Sequence, residues 1–239
     1  MRKAIVIGAS SGIGKALSIV LSGKGFSMGL AGRNKEGMED AKRSCGADAV
    51  IKILDATKYE ESARSFRELI ETMGGCDLVV LNAGVSFGNE ELDWGKDKAI
   101  IDLNVLGFVR LAEEAFKYFL SKGEGHIVGI SSVAALQGHW HSPAYGASKA
   151  FISKYMEGLR GLAHQNRARI TITDIKPGFV ETPMTANNKK MFWVASVQEA
   201  ALEIYAAIAH KKDHAYITKR WRLIAWLIKL TPWFILKRI

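Results

Sequence analysis

The chain has 239 residues, 48% of them apolar, and a formal net charge of +9. That length and apolar content suffice for one large α/β core without a second domain. The charge does not indicate a nucleic-acid partner, because Lys219, Arg220, Arg222, Lys229, Lys237 and Arg238 concentrate it at the end of the chain and no recognition motif accompanies it.

The opening MRKAIVIG has too short an apolar run for a signal peptide, and none is expected. Ala4–Ile7 reads as a buried parallel strand that breaks into Gly8-Ala9-Ser10-Ser11-Gly12-Ile13-Gly14, followed by a helix over Lys15–Leu21. Strand, glycine turn and helix start make an anion site: glycines let backbone approach a phosphate, and free N–H groups at the helix N-terminus favour negative charge. Ser27–Ala31 is a second strand, ending at Gly32-Arg33-Asn34 with no acidic residue to hold a ribose. Arg33 there suits the 2′-phosphate of NADP(H). Ala49–Leu54 is a third strand, and Asp55 at its end is placed to flank an adenine. Cys45 and Cys76 form no disulfide or ligand pattern, which points to a reducing compartment.

Tyr59–Met73 is a helix with Phe66, Leu69, Ile70 and Met73 on its core face. Asp77–Leu81 is a fourth strand, closed by Asn82-Ala83-Gly84. A long helical pattern runs from about Lys96 to Leu120, with Asn104 inside its apolar periodicity, where a buried amide needs a hydrogen-bonding reason. His126–Ile130 gives a fifth strand, a helix from Tyr145 runs to about His164, and Arg169–Ile175 gives a sixth strand ending at Pro177-Gly178. Met184 to Trp193 reads as a loop or short helix, Gln198–His210 as a helix, and Ala215–Thr218 as a short last strand. Strands alternating with helices predict a single Rossmann-type α/β domain over 1–218, doubly wound and parallel, with helices on both faces; a basic amphipathic tail follows over 219–239.

The chemistry centres on SSVAALQGHWHSPAYGASK, Ser131 to Lys149. Tyr145 and Lys149 are four apart, so they share one helix face. An ammonium beside a phenol favours phenolate and is expected to lower the Tyr pKa from about 10 toward neutrality. A Tyr so tuned is a general acid–base group. Ser132, outside that helix, can hydrogen-bond a substrate oxygen from the other side. His139 and His141 lack carboxylate or Cys partners at ligand spacing, so no metal is expected.

These features together resemble the short-chain dehydrogenase/reductase family from Lys3 to about Thr218. The glycine loop IGASSGIG, the Asn82–Gly84 turn, Asn104, the Ser132, Tyr145 and Lys149 set, and Pro177-Gly178 with Thr182 follow the family's order. Two departures are small: Ile7 stands where a Thr is usual, and Leu81 precedes Asn82 where a second Asn is frequent. The resemblance implies that Tyr145 is the general acid or base and that Lys149 lowers its pKa and holds the nicotinamide ribose. It also implies that Ser132 orients the carbonyl, that Asn104 anchors a proton-relay water, and that Val180 and Thr182 hold the carboxamide. It further implies a homodimer or homotetramer, packed through the Asn104 and Tyr145 helices, with Phe116, Phe119 and Phe151 as spare apolar residues.

Around the expected pocket fall Phe87, Trp94, His139, Trp140, Met184, Met191, Phe192 and Trp193, which favours a hydrophobic carbonyl or alcohol substrate; Trp140, Met184 and Phe192 are the pocket residues expected, with packing of Met191, Phe192 and Trp193 in a lid or oligomer interface as the alternative. The alternative is a non-catalytic dinucleotide sensor or membrane-surface scaffold on the same fold. In Lys219–Ile239 the apolar run is too short to span a bilayer, and Thr231-Pro232 reads as the start of a second short helix. On a helical wheel Arg222 and Lys229 share an edge with Trp226, opposite Leu223, Ile224, Leu227 and Ile228. This predicts either contact of a cytoplasmic protein with a membrane surface or a segment that packs on a neighbouring subunit or covers the substrate mouth.

Overall fold

The structure, a computed structural model, describes residues 1–138, 140–186 and 191–230, with side chains as far as Leu227. His139 and the Thr231-Pro232 helix start lie outside the described residues. Parallel strands β1 (Arg2–Ile7), β2 (Phe26–Gly32), β3 (Val50–Ile53), β4 (Leu78–Leu81), β5 (Glu124–Ile130), β6 (Arg169–Pro177) and β7 (His214–Ile217) form one sheet in the order β3-β2-β1-β4-β5-β6-β7. The helices are α1 (Gly12–Gly23), α2 (Lys35–Cys45), α3 (Tyr59–Thr72), α4 (Trp94–Ile101), α5 (Phe108–Lys122), α6 (Pro143–Gln165), α7 (Val197–Ala209) and α8 (Trp221–Leu230).

The strands read as unbroken apolar runs because both faces are covered. Ala4 and Val6 of β1 join a core with Leu17, Met38 and Ile204 of α1, α2 and α7. Ile5 and Ile7 point the other way and join Phe66, Phe119 and Ile152 of α3, α5 and α6. Packing is close: a Cβ on Gly125 of β5 would fall 2.1 Å from the ring of Phe119. Truncating such a side chain to Ala costs about 3–5 kcal/mol.

Several expectations need correction. The helix α2 was not anticipated, because only Met38 and Ala41 of it are buried; Asn34 starts it by accepting a hydrogen bond from Gly37 N at 3.1 Å. The long helix expected over Lys96 to Leu120 is α4 and α5 joined by a π-helical turn at Asp102–Gly107. Gly107 permits that turn to press on β3's exit, since a Cβ there would lie 2.6 Å from the Ala56 carbonyl. Phe116 and Phe119 are not spare surface: both are buried within this chain, and only Phe151 of the three is exposed.

In α8 the apolar residues divide between two opposite sides. Trp221 and Ala225 are buried against the body, whereas Leu223, Trp226 and Leu227 face outward. Among the described residues no helix is long and apolar enough to cross a membrane.

Candidate active site

The chain leaves β1 for β2 and β3 on one side, then returns to place β4 on the other, so the C-terminal ends of β1 and β4 flank a crevice. Its floor is an interlock of two tight turns. Gly8 has φ +86°, and a Cβ there would meet Ala83 N at 2.7 Å; a Cβ on Gly14 would meet the Gly8 carbonyl at 2.1 Å. Asn82 ties the turns together, donating from Nδ2 to Gly8 O at 2.9 Å. Ser11 precedes α1 in extended conformation and makes no side-chain cap, so the first N–H groups of α1 are free to meet an anion.

A cleft of about 300 Å³ opens above this floor. Gly8, Ser10, Ser11, Gly12, Ile13, Arg33, Asn82, Ala83, Gly84, Ser132, Tyr145, Lys149, Pro177, Gly178, Val180, Thr182 and Met184, all anticipated from sequence, line it. Gly14 shapes the floor from behind. Asp55 is not on the wall: it accepts from Thr57 N and Oγ1 at 3.0 and 2.8 Å and faces Arg33 at 3.9 Å. Burial raises its carboxyl, but the Thr57 hydrogen bonds and the nearby Arg33 outweigh that and hold it below the usual range. Trp140 is exposed and off the cleft wall, and Phe192 packs on Phe179 and Trp221 instead.

Within the cleft, Pro143 opens α6 and carries Tyr145 and Lys149 on one face, with Lys149 Nζ 5.7 Å from the Tyr145 ring centre. Lys149 is buried and donates to Ile130 O at 3.0 Å. Burial pulls its pKa down to about 8, with Asp174 opposing. The expected lowering of the Tyr145 phenol is not what these groups produce. Burial raises it, and the Ser132 hydroxyl beside it only partly offsets that. The reason is that the ammonium is directed at the Ile130 carbonyl and is itself desolvated.

Asn104 reaches from the π-helical turn. Its Oδ1 accepts from Val85 N at 2.9 Å, and its Nδ2 donates to Val85 O at 2.9 Å and Ser148 Oγ at 3.1 Å. This is the hydrogen-bonding reason that a buried amide required. Sequence reasoning missed the support behind Ser132: buried Asp174 accepts from Ser131 Oγ at 2.5 Å and Ser153 Oγ at 2.6 Å and pairs with Lys176. Two opposite charges two apart in an apolar strand were the available signal. Leu54, Val85 and Ile130 also line the cleft, and their positions at or beside strand C-termini could have marked them.

A cleft over a glycine turn at the switch point of a doubly wound sheet defines a dinucleotide-binding class of protein. The model of the short chain dehydrogenase family matches residues 2–192, and the chain belongs to that family, whose members bind nicotinamide dinucleotides and small-molecule substrates and are generally oligomeric. An uncharacterised oxidoreductase of Myxococcus xanthus is 37% identical over 192 residues, 78% of this chain and 75% of that one. Among solved structures, the fold resembles a 3-ketoacyl-(acyl-carrier-protein) reductase from Brucella melitensis complexed with NADH (TM-score 0.81, 19% identity, 91% of this chain and 97% of that one). It equally resembles an alcohol dehydrogenase from the archaeon Thermococcus sibiricus complexed with 5-hydroxy-NADP (TM-score 0.80, 21% identity, 90% and 95%).

Proposed function

We propose that the protein interconverts carbonyl and alcohol groups of a hydrophobic small molecule with NADP(H), using Tyr145 as general acid and base. The observation that carries this reading is the meeting of Ser132, Tyr145 and Lys149 with the glycine turn in one cleft. The tight Gly8–Gly14 floor and free α1 N-terminus fit a pyrophosphate. Gly8, Ser10, Ser11, Gly12 and Ile13 would hold it, with Asn82, Ala83, Gly84, Pro177, Gly178, Val180 and Thr182 along the rest of the dinucleotide. Among the described residues the cleft wall carries Arg33 and Lys149 and no carboxylate, a set that supports the extra 2′-phosphate of NADP(H), which Arg33 would meet.

The dinucleotide supplies or accepts the hydride. Tyr145, kept protonated by its raised pKa, gives its phenolic proton to the carbonyl oxygen as negative charge develops there. Ser132 donates a hydrogen bond to the same oxygen. Lys149 would hold the nicotinamide ribose beside it, and a water anchored at Asn104 returns the proton from solvent. In the reverse direction the phenolate takes the alcohol's proton.

Met184 on the wall and exposed Phe192 beyond it support an apolar substrate. Exposed Leu106, Leu120, Phe151 and Leu162 support a homodimer or homotetramer packed through α5, α6 and the turn before α5. The basic tail supports peripheral contact with the cytoplasmic face of a membrane. The test is NADPH consumption with a panel of hydrophobic ketones, compared with NADH. Ketone-dependent oxidation of NADPH is expected. Tight NADPH binding with no turnover of any ketone would make the protein a dinucleotide sensor or scaffold instead.

A further inference from the structure

The buried side of α8, through Trp221, and the segment after the cleft wall are joined by an aromatic cluster that the hydride-transfer chemistry does not use. Trp221 packs on Phe179 (5.6 Å between ring centres), Phe192 (5.1 Å) and Trp193 (6.1 Å). It also lies directly on Gly178 of the cleft wall, where a Cβ would come within 2.0 Å of its indole nitrogen. Through this cluster α8 is attached to the rim of the cleft.

The surface that results is apolar with a cationic edge. Leu223, Trp226 and Leu227 are 68, 62 and 55% exposed, and Phe192 and Trp193 are 49 and 44% exposed. At about 100° per residue, Leu223, Trp226 and Leu227 lie opposite buried Trp221 and Ala225, and Arg222 sits at the border. Arg220 stacks over Trp193 at 5.5 Å from its ring centre, bringing a cation to the rim segment. No acidic residue follows Asp213, whereas Lys219, Arg220, Arg222, Lys229, Lys237 and Arg238 do. The Glu203 carboxylate lies beside Lys219 and Arg220, and Trp and Leu exposed together beside Arg222 match the interface of an anionic bilayer.

We propose that Phe192, Trp193 and the outward side of α8 form one lipid-contacting platform that sets the cleft rim on an anionic bilayer, from which a lipophilic substrate enters. The platform deepens the proposed membrane contact and rests on the hydride-transfer reading only for what the substrate does after entry. Contact by the basic tail alone would leave Trp193 in water; the platform requires it in the lipid interface.

The full chain is mixed with vesicles of phosphatidylcholine alone, or with phosphatidylglycerol added, some carrying brominated acyl chains that quench nearby tryptophan. Binding is read by co-sedimentation and quenching, so it is independent of turnover. Expected results are binding that needs phosphatidylglycerol and weakens with salt, and quenching that diminishes in both Trp226→Phe and Trp193→Phe. The double variant Leu223→Glu/Leu227→Glu, altered only at exposed positions, should bind at least about tenfold more weakly while its NADPH affinity stays unchanged. Quenching unaltered by Trp193→Phe, or no binding to anionic vesicles, overturns the platform. A double variant that changes from dimer to monomer while the parent ignores vesicles assigns this side to a second copy of the chain. If vesicle binding is as expected but no ketone is turned over, the platform stands and the hydride-transfer reading fails.

Discussion

Among the described residues Arg33 and Lys149 are the cations on the cleft wall, and each makes a separable prediction. Arg33 is more than half exposed and only loosely paired with Asp55 at 3.9 Å, so its guanidinium is available to a ligand. Arg33→Ala is expected to weaken NADPH binding by about 10- to 100-fold, the worth of a charge-assisted hydrogen bond, and to leave NADH nearly unchanged. Equal losses in calorimetric titrations of the two would remove Arg33 from the 2′-phosphate. Lys149 has its folded pKa depressed to about 8, so the free protein loses that positive charge as pH rises through about 8. The negative charge of a bound dinucleotide favours the charged form, so binding must take up a proton above that pH. NADPH affinity is therefore expected to fall above pH 8 by up to about tenfold per pH unit, and Lys149→Met should flatten that fall. A wild-type affinity that does not change from pH 8 to 9.5 would contradict the assignment.

Where strands carry polar residues inside the sheet, the elements have their own pH signature. His126 of β5 is buried, its Nε2 2.8 Å from Thr173 Oγ1. Thr173 already donates its hydroxyl proton to Lys212 O at 2.6 Å, so His126 is the donor to Thr173 Oγ1 through Nε2. Burial lowers its pKa to about 4, with Lys211 adding to the effect. A depressed folded pKa means that its contribution to stability is complete above the unfolded value near 6.5 and is lost as pH falls through about 4, a change on the order of 3 kcal/mol. Thermal unfolding from pH 7 to pH 4 should show that slope, and His126→Gln should reduce it; an unchanged slope would exclude His126 as its source. The strands themselves were legible because burial on both faces turns each into an apolar run. The candidate site was legible because the family's motifs recur in order along the chain, some after strand ends and Asn104, Tyr145 and Lys149 on helical segments. Helix α2 was hidden by a polar sequence with two core residues. The π-helical turn was hidden because apolar spacing continues through it, with Asn104 as its one mark. Phe192 was assigned to the pocket because its partner Trp221 is far along the chain, and such a contact has no local signal.

At the scale of the whole molecule, the sheet brings the ends of β1, β4, β5 and β6 to one cleft, and that convergence gives the chemistry its geometry. The floor tolerates no side chain at Gly14, where a Cβ would press on the Gly8 carbonyl at 2.1 Å and Asn82 Nδ2 at 2.5 Å. Gly14→Ala is therefore expected to abolish detectable dinucleotide binding while circular dichroism stays native; retained affinity would show that the turn does not seat the ligand. Hydride transfer in this cleft with Tyr145 moving the proton is read by single-turnover transfer from NADPH deuterated at its transferable position to a hydrophobic ketone, by the wild type and by Tyr145→Phe. Deuterium is expected on the carbinol carbon with the wild type, with a rate about 10²–10⁴-fold lower in Tyr145→Phe and NADPH affinity retained. Transfer by Tyr145→Phe at the wild-type rate, or no transfer by wild-type protein saturated with NADPH, would contradict it.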